Sequence, residues 1–158
     1  GWVALSVDGS FSCQDGRASI GMMLRRENGS TIFAAYRYIF HCIDALEAEI
    51  HAIMQGMALA IQHSDCPVIV QSDSSNALAI LSSDNLSRSA YDHLAAEIKA
   101  HLIVRKFVPL KVSRYQNRVA HQLAHYSRTE ACTAVWLNSS PLFYEDLLSR
   151  YCNPIIME

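Results

Sequence analysis

Three carboxylates in the sequence stand at positions where they could bind a divalent metal ion. Asp8 ends a short apolar run, residues 3–7, and Asp73 follows a second apolar run, residues 68–70. Glu49 lies between them, near the start of a long stretch with helical spacing. Carboxylate oxygens are the ligands that Mg²⁺ prefers, so three acids on three separate elements predict a site for such an ion.

The pattern of apolar residues indicates how these elements bring the acids together. Residues 3–7 alternate as in a strand, and the run at 68–70 predicts a second strand. The intervening helix makes a right-handed crossover, so the two strands are expected to be parallel neighbours. Asp8 and Asp73 then lie at the carboxyl ends of the strands, where open α/β sheets place their sites.

The helix between the strands is amphipathic and carries two acids near its start. Its apolar stripe recurs at steps of three and four and ends near His63, before Cys66-Pro67. At about 100° per residue, Glu47 and Glu49 point roughly 160° apart, so they cannot bind one metal together. The position of the stripe favours Glu49 as the inward acid.

The remaining elements complete a single α/β domain. Asn28-Gly29 predicts a hairpin, and Pro109 places the last predicted strand at a sheet edge. The predicted fold is a mixed five-stranded sheet, a three-strand antiparallel meander plus two parallel strands, with helices on both faces. The further predicted elements are strands at 18–26, 31–39 and 107–114, a short helix capped by Ser74 to Asn76 and ending at Leu81, a longer helix capped by Ser87 or Ser89, and a last helix capped by Asn117.

The predicted domain spans residues 1–128, and a C-terminal extension covers residues 129–158. The extension is less regular than the domain, but its large apolar side chains are Trp136, Leu137, Leu142, Phe143, Leu147 and Leu148. A contiguous apolar surface is unfavourable in water, so we expect this segment to pack on the domain or on a protein partner.

The composition is typical of a globular domain in a reducing compartment. Of 158 residues, 51% are apolar and 18% are charged, with a formal net charge of −2. The five cysteines include no Cys-x-x-Cys pair, so we expect reduced thiols and an intracellular location, nuclear or cytoplasmic. No apolar run is long enough to span a bilayer. Binding to nucleic acid would depend on local basic patches, of which the largest is Arg105, Lys106, Lys111, Arg114 and Arg118.

The order of elements and four local motifs resemble the ribonuclease H fold. Asp8-Gly9-Ser10 resembles its first-strand motif, Ala48-Glu49 its helix acid, and Ser72-Asp73-Ser74 the acid after its next parallel strand. Residues 117–124 are similar to the family's Asn-x-x-Ala-Asp-x-Leu-Ala helix, with His121 in place of the fourth acid. The resemblance covers roughly residues 2–128 and is closest to plant ribonuclease H-like domains related to non-LTR retrotransposon reverse transcriptases.

This resemblance implies a metal-dependent endonuclease that hydrolyses the RNA strand of RNA:DNA hybrids by a two-metal mechanism. Mg²⁺ or Mn²⁺ would occupy two sites, with Asp8 shared between them and Glu49 and Asp73 each holding one ion. His121 would complete the catalytic set. The implied substrate-binding residues are Ser10, Asn117, Arg114 and Arg118.

Other interpretations of the same residues stay open. A catalytically weakened ribonuclease H-like module that binds nucleic acid or protein would explain His121, the mildly negative charge and the apolar extension. His121 and His125 have the spacing of a zinc-binding pair, although no third ligand is evident and a solvated helix face is the simpler interpretation. Tyr36, Tyr38 and Phe40 could stack on bases, while cross-strand packing is the simpler explanation for them.

Overall fold

A computed structural model describes residues 1–82 and 91–139 of the chain. Its strands are β1 (Val3–Phe11), β2 (Arg17–Arg25), β3 (Thr31–His41), β4 (Val68–Ser72), β5 (Phe107–Lys111) and β6 (Ala134–Leu137). Its helices are α1 (Ala45–His63), α2 (Ser75–Leu78), α3 (Asp92–Val104) and α4 (Arg118–Glu130), with a 3₁₀ turn at Ala79–Leu81 after α2. The six strands form one mixed sheet in the order β5-β4-β1-β2-β3-β6.

The topology confirms the predicted fold class. β1, β2 and β3 form an antiparallel meander, because the turn at Asn28-Gly29 returns the chain beside β2. β4 pairs in parallel with β1, and β5 pairs in parallel with β4. Pro109 lies in β5 at the edge of the sheet. Proline has no N–H to donate, and an edge strand tolerates this because one of its sides has no neighbouring strand.

The sheet has one strand more than the five predicted. β6 pairs antiparallel with β3 and comes from the segment assigned to the C-terminal extension. Ala131, which follows the last residue of α4, has a left-handed φ of 50° and turns the chain back along β3. Trp136 then packs on Tyr36, with 5.3 Å between ring centroids. The first part of the extension therefore packs on the domain, while Leu142, Phe143, Leu147 and Leu148 lie outside the described residues.

Helices cover both faces of the sheet. α1 packs on one face, where Leu5, Val7 and Ile53 belong to the larger core, and α3 packs on the outside of α1. α4 packs on the opposite face, over a smaller core that includes Met23 and Leu123. None of the described helices is long and apolar enough to cross a membrane.

The predicted helix caps can be compared at two places. Ser74 caps α2 as predicted, since its hydroxyl accepts a hydrogen bond from Ala77 N at 3.2 Å. Ser87 and Ser89 lie outside the described residues, and α3 begins at Asp92.

The aromatic residues of β3 differ in how far they are buried. Tyr36 is 6% exposed and contacts the rings of Tyr126 and Trp136. Tyr38 and Phe40 contact each other, with 4.9 Å between centroids, and Phe40 is 67% exposed. Packing therefore accounts for Tyr36, whereas Phe40 keeps an open ring face.

Candidate metal centre

Three carboxylates converge at the carboxyl ends of the central parallel strands. Asp8, Glu49 and Asp73 each offer an oxygen that lies within 4.8 Å of the other two. The parallel register of β1 and β4 pairs Ser6 with Gln71, so Asp8 and Asp73 emerge side by side two residues later. Among residues 1–82 and 91–139, this is the one cluster of three potential metal ligands.

The two acids near the start of α1 have different partners. Glu47 Oε1 accepts a hydrogen bond from Ile43 N at 2.6 Å, and Glu47 N donates to Asp44 Oδ1 at 2.8 Å, so Glu47 closes the helix start. Glu49 points to the sheet instead, where its Oε2 accepts from Gly9 N at 3.2 Å. Helical phase thus separates a capping acid from an acid that faces the cluster with Asp8 and Asp73.

Gly9 allows α1 to approach β1 this closely. A Cβ at this position would lie 2.5 Å from the carbonyl carbon of Ala48 and 2.6 Å from Glu49 N. These are backbone atoms, so no side-chain rotation could make room for a larger residue. The absence of a side chain at Gly9 therefore helps to fix the position of Glu49.

The surroundings of the acids disfavour their charged forms. Asp8 is only 2% exposed, and burial raises its pKa, reinforced by the charge of Asp73 and opposed by the hydrogen bond from His121. Burial also raises the pKa of Glu49 to about 9, with further contributions from Asp8 and Asp73. A divalent cation would relieve this repulsion and prefers such oxygen donors, so the residues present fit a hard divalent ion.

We expect the metal-free protein to lose stability as the pH rises from about 5 to about 9. Asp8 and Glu49 have higher pKa values in the folded chain than in the unfolded chain, so the folded state binds more protons over this range. Their stabilising contribution is complete below the unfolded pKa values, near about 4, and is lost as the pH rises through the folded values. The raised pKa of His121 acts in the same direction.

The measurement is the melting temperature against pH in EDTA. Glu49→Gln should flatten the profile, because it removes the group with the largest shift, and added Mg²⁺ should restore stability at the alkaline end. A melting temperature of the wild-type protein that rises between about pH 6 and pH 8 would contradict these electrostatics.

His121 contacts the most buried of the acids. Its Nδ1 lies 3.0 Å from Asp8 Oδ2, and this hydrogen bond raises the pKa of the imidazole. The side chain is still 53% exposed, so it reaches from the first turn of α4 to the mouth of the site. The rings of His121 and His125 are stacked 6.4 Å apart, but the three-ligand cluster among the described residues contains neither of them, so nothing here supports the zinc interpretation.

Asn117 fixes the start of α4 through a long-range hydrogen bond. Its Nδ2 donates to Val7 O at 2.8 Å, and the residue is 1% exposed. It occupies the N-cap position, yet its side chain makes no cap bond, so the predicted capping interaction is wrong: the amide satisfies a carbonyl of β1 instead. A buried side chain cannot reach a substrate, so the position of Asn117 supports a role in placing His121, rather than the direct substrate contact that we expected.

The predicted substrate-binding arginines flank the acidic cleft. Arg114 is 92% exposed, and its Nε lies 3.9 Å from Asp73 Oδ2. Arg114 and Arg118 line an adjoining cavity of about 350 Å³ together with Tyr115 and His121. Both positive charges therefore lie beside the acids and make the local potential less negative.

Two further basic residues belong to the surroundings of the acids: Lys111 was predicted only as a member of the basic patch, and Arg128 was not predicted. Lys111 lines the acidic cleft, because the parallel register pairs it with the last residue of β4. Arg128 Nε donates a hydrogen bond to Ser10 Oγ at 2.7 Å. The hydroxyl of Ser10, which was predicted to bind substrate, therefore already contacts a cation from α4. Arg128 follows His121 by seven positions, so helical periodicity could have identified it.

The basic cluster seen in the sequence is divided between the two ends of β5. Arg105 Nη2 lies 3.8 Å from Asp65 Oδ1, and Lys106 Nζ lies 5.4 Å from the centroid of the Trp2 ring, both before the strand begins. A five-residue strand spans roughly 17 Å, which separates these two residues from the acids. Three members of the cluster remain beside the cleft: Lys111, Arg114 and Arg118.

Comparison with known proteins agrees with this architecture. Residues 6–127 match the family model described as reverse transcriptase-like. No curated protein sequence matches the chain. The ribonuclease H1 structure from Halobacterium salinarum NRC-1 is 18% identical, with a TM-score of 0.72, over 84% of this chain and 100% of that one.

Two further solved structures have the same fold. The N-terminal ribonuclease H domain of rv2228c from Mycobacterium tuberculosis is 18% identical, with a TM-score of 0.74, over 81% of this chain and 99% of that one. LC11 ribonuclease H1, solved in complex with an RNA/DNA hybrid, is 20% identical, with a TM-score of 0.72, over 82% of this chain and 98% of that one.

These matches confirm the resemblance inferred from the motifs. The range matched by the family model contains Asp8, Glu49, Asp73 and His121, and it covers well over half of the chain. The chain therefore belongs to the reverse transcriptase-like family, and its fold is that of the ribonuclease H structures.

Proposed function

We propose that this protein is a metal-dependent endonuclease that cuts the RNA strand of RNA:DNA hybrids. The observation that carries the proposal is the convergence of Asp8, Glu49 and Asp73 at the end of two parallel strands. The choice of substrate is supported by LC11 ribonuclease H1, a protein of the same fold that was solved with an RNA/DNA hybrid.

Asp8, Glu49 and Asp73 would hold two divalent cations, Mg²⁺ or Mn²⁺, with Asp8 shared and each of the other acids on one ion. Such ions supply Lewis-acid stabilisation of the attacked phosphodiester and of its leaving oxygen. Because Asp8 is central to this arrangement, its position matters most. Asn117 secures it from one side, through the carbonyl of Val7, and the hydrogen bond from His121 secures it from the other.

The basic residues around the cleft would bind and orient the nucleic acid. Lys111 and Arg114 line the cleft itself, and Arg118 lines the adjoining cavity. Ser10 and Arg128 would contact phosphates further along β1, where their mutual hydrogen bond already brings a cation to the surface. Charged donors at several points along the cleft would fix the direction of a nucleic-acid strand without making binding depend on its base sequence.

The test is cleavage of a labelled RNA:DNA hybrid in Mg²⁺ and in Mn²⁺, with single-stranded RNA and duplex DNA of the same sequence as controls. The proposal predicts metal-dependent cuts in the RNA of the hybrid alone. Cleavage that persists in EDTA, or equal cleavage of all three substrates, would contradict it.

A second function is favoured by one observation, the contact of His121 with Asp8. The imidazole supplies no negative charge, and its hydrogen bond engages one carboxylate oxygen that a metal would use. In that case the domain would be a catalytically weakened module that binds nucleic acid or protein. Tight, salt-dependent binding of the hybrid without any cleavage in either metal would favour this function.

We expect any activity to prefer Mn²⁺ to Mg²⁺, and His121→Asp to narrow the gap. Mg²⁺ demands oxygen ligands in near-octahedral geometry, whereas Mn²⁺ tolerates a nearby imidazole more readily. Because His121 Nδ1 lies 3.0 Å from Asp8, an aspartate at this position would restore an anionic group within reach of the site. The measurement is the initial rate against metal concentration, with His125→Asp as the matched change one turn further along the same helix.

An unchanged preference for Mn²⁺ over Mg²⁺ in His121→Asp, or an equal change in His125→Asp, would show that His121 does not act at the metal site.

Three broader expectations accompany the proposal: an intracellular location, a protein partner for the C-terminal extension, and a narrower relation to plant domains linked to non-LTR retrotransposons.

A further inference from the structure

A second polar feature lies on the sheet face that carries α4, away from the acidic cleft. Arg25 ends β2 and is only 5% exposed. It pairs with Ala4 across the β1–β2 ladder, and Ala4 precedes Asp8 by four residues, about 13 Å along the strand. Arg25 is therefore too far from the acids to belong to their site.

The guanidinium of Arg25 has buried nitrogens without partners. Among residues 1–82 and 91–139, Arg25 Nε and Nη1 make no hydrogen bond and no ion pair. A buried charge without a partner is strongly destabilising, because its lost hydration is not replaced. An anion that accepts hydrogen bonds from the guanidinium would supply the missing interaction.

Arg25 lines a cavity of about 430 Å³ that could admit such an anion. The volume is in the range of small-molecule sites. Most of the lining is apolar, including Trp2, Ile69 and Val108, and the polar groups beside Arg25 are few. An apolar cavity with a small number of convergent polar groups is the usual arrangement for a ligand with an apolar body and one charged end.

The charges around the cavity favour an anion over a cation. Arg26 lies at its rim, where its Nη1 donates to Ser30 at 3.2 Å, and Lys106 Nζ stands 5.4 Å from the Trp2 ring centroid. The one acid in the lining is Glu27, whose Oε1 already accepts a hydrogen bond from Trp2 N at 3.1 Å. Gln71 adds a neutral amide that hydrogen-bonds to Ser6 at 3.1 Å.

We propose that the Arg25 cavity is a second ligand site, which binds a small molecule with a planar apolar body and a single phosphate or carboxylate group. The anionic group accepts hydrogen bonds from Arg25, and the planar body lies along Trp2, Ile69 and Val108. This site does not depend on hydrolysis at the acidic cleft.

Titration of the full chain in EDTA with phenyl phosphate, benzoate and phenol tests the proposal, with binding followed by calorimetry and by the shift in melting temperature. Phenyl phosphate and benzoate distinguish the two anionic groups, and phenol is the matched neutral body. We expect saturable binding of at least one anion and none of phenol. Inorganic phosphate alone should bind more weakly, since it lacks the apolar body.

Variants then locate the binding. Arg25→Met should weaken it by about tenfold or more, because a charge-assisted hydrogen bond is lost, while raising the melting temperature of the ligand-free protein. Arg37→Met is the matched control and should change affinity little, because Arg37 is an exposed arginine of β3 whose Nη1 donates to Gln55 at 2.6 Å and which does not line this cavity. Val108→Trp leaves Arg25 intact but fills the cavity, so it should also prevent binding. This variant provides the test if Arg25→Met does not fold.

Either of two results would overturn the proposal: the absence of saturable anion binding to the wild-type chain, or binding by Val108→Trp that equals that of the wild type.

Discussion

Replacing Asp8 by asparagine is expected to abolish hydrolysis of a hybrid while leaving the fold at least as stable. Asp8 is the most buried acid of the cluster, and the proposed function requires its negative charge to help hold the metal ions. Asparagine keeps the shape and can still accept the hydrogen bond from His121. We therefore expect the rate to fall by at least about a thousandfold, which corresponds to about 4 kcal/mol of transition-state stabilisation.

The stability of the same variant provides an independent check. Burial and Asp73 raise the pKa of Asp8, so its charge is disfavoured in the folded metal-free protein and a neutral side chain removes this cost. In EDTA at about pH 8, the melting temperature of Asp8→Asn should equal or exceed that of the wild type. In the wild type alone, added Mg²⁺ should then raise it substantially.

Asp15→Asn is a suitable control, since Asp15 is an exposed loop acid whose Oδ1 accepts from Arg17 N at 3.0 Å. This variant should keep both hybrid cleavage and the response to Mg²⁺. Hydrolysis by Asp8→Asn within about tenfold of the wild-type rate would show that the acidic cluster is not the reaction centre.

The acidic cluster could be predicted because local rules determine it. Strand alternation and a right-handed crossover bring Asp8 and Asp73 to one edge, and helical phase separates Glu49 from Glu47. Strand alternation and helical phase depend on residues close together in sequence, and the handedness of the crossover is nearly the same in all such connections. The predicted elements and the observed ones therefore agree around the cleft.

Other features could not be predicted because they depend on distant partners. Asn117 bonds to Val7 O across 110 positions, and a nearby helix start made capping the expected role. β6 is a four-residue strand whose formation depends on the open edge of β3. Nothing in the sequence indicates that Arg25 is buried without a partner, since arginine at the end of a strand is usually exposed to solvent.

Alanine at Gly21 is expected to destabilise the protein more than any surface change. Gly21 lies in β2 where α4 crosses the sheet, and an added Cβ would lie 2.3 Å from Ala120 O and 2.6 Å from Ala124 N. Both are helix backbone atoms, so the whole of α4 must move away from the sheet. Overpacking in a core typically costs about 1–3 kcal/mol, and we expect about 3 kcal/mol or more here because no flexible side chain can yield.

Gly56→Ala is the matched control, because Gly56 is also a glycine where a helix meets the sheet. Its added Cβ would meet the side-chain atoms Val7 Cγ1 at 2.9 Å and Leu5 Cδ2 at 3.1 Å, which can shift by rotation. Alanine is also favoured over glycine within a helix by up to about 1 kcal/mol, which offsets part of the clash. Urea unfolding should therefore give a small change for Gly56→Ala and a large one for Gly21→Ala.

The displacement of α4 expected in Gly21→Ala should also change the acidic cleft, because α4 carries His121. If the helix moves outward at Ala120, the 3.0 Å contact between His121 and Asp8 lengthens, and the hydrogen bond that raises the pKa of His121 is weakened. The His121 pKa of Gly21→Ala, measured by NMR on the folded fraction, should therefore be lower than in the wild type. Equal free energies of unfolding for the two glycine variants would show that the contact between α4 and β2 is looser than the structure describes.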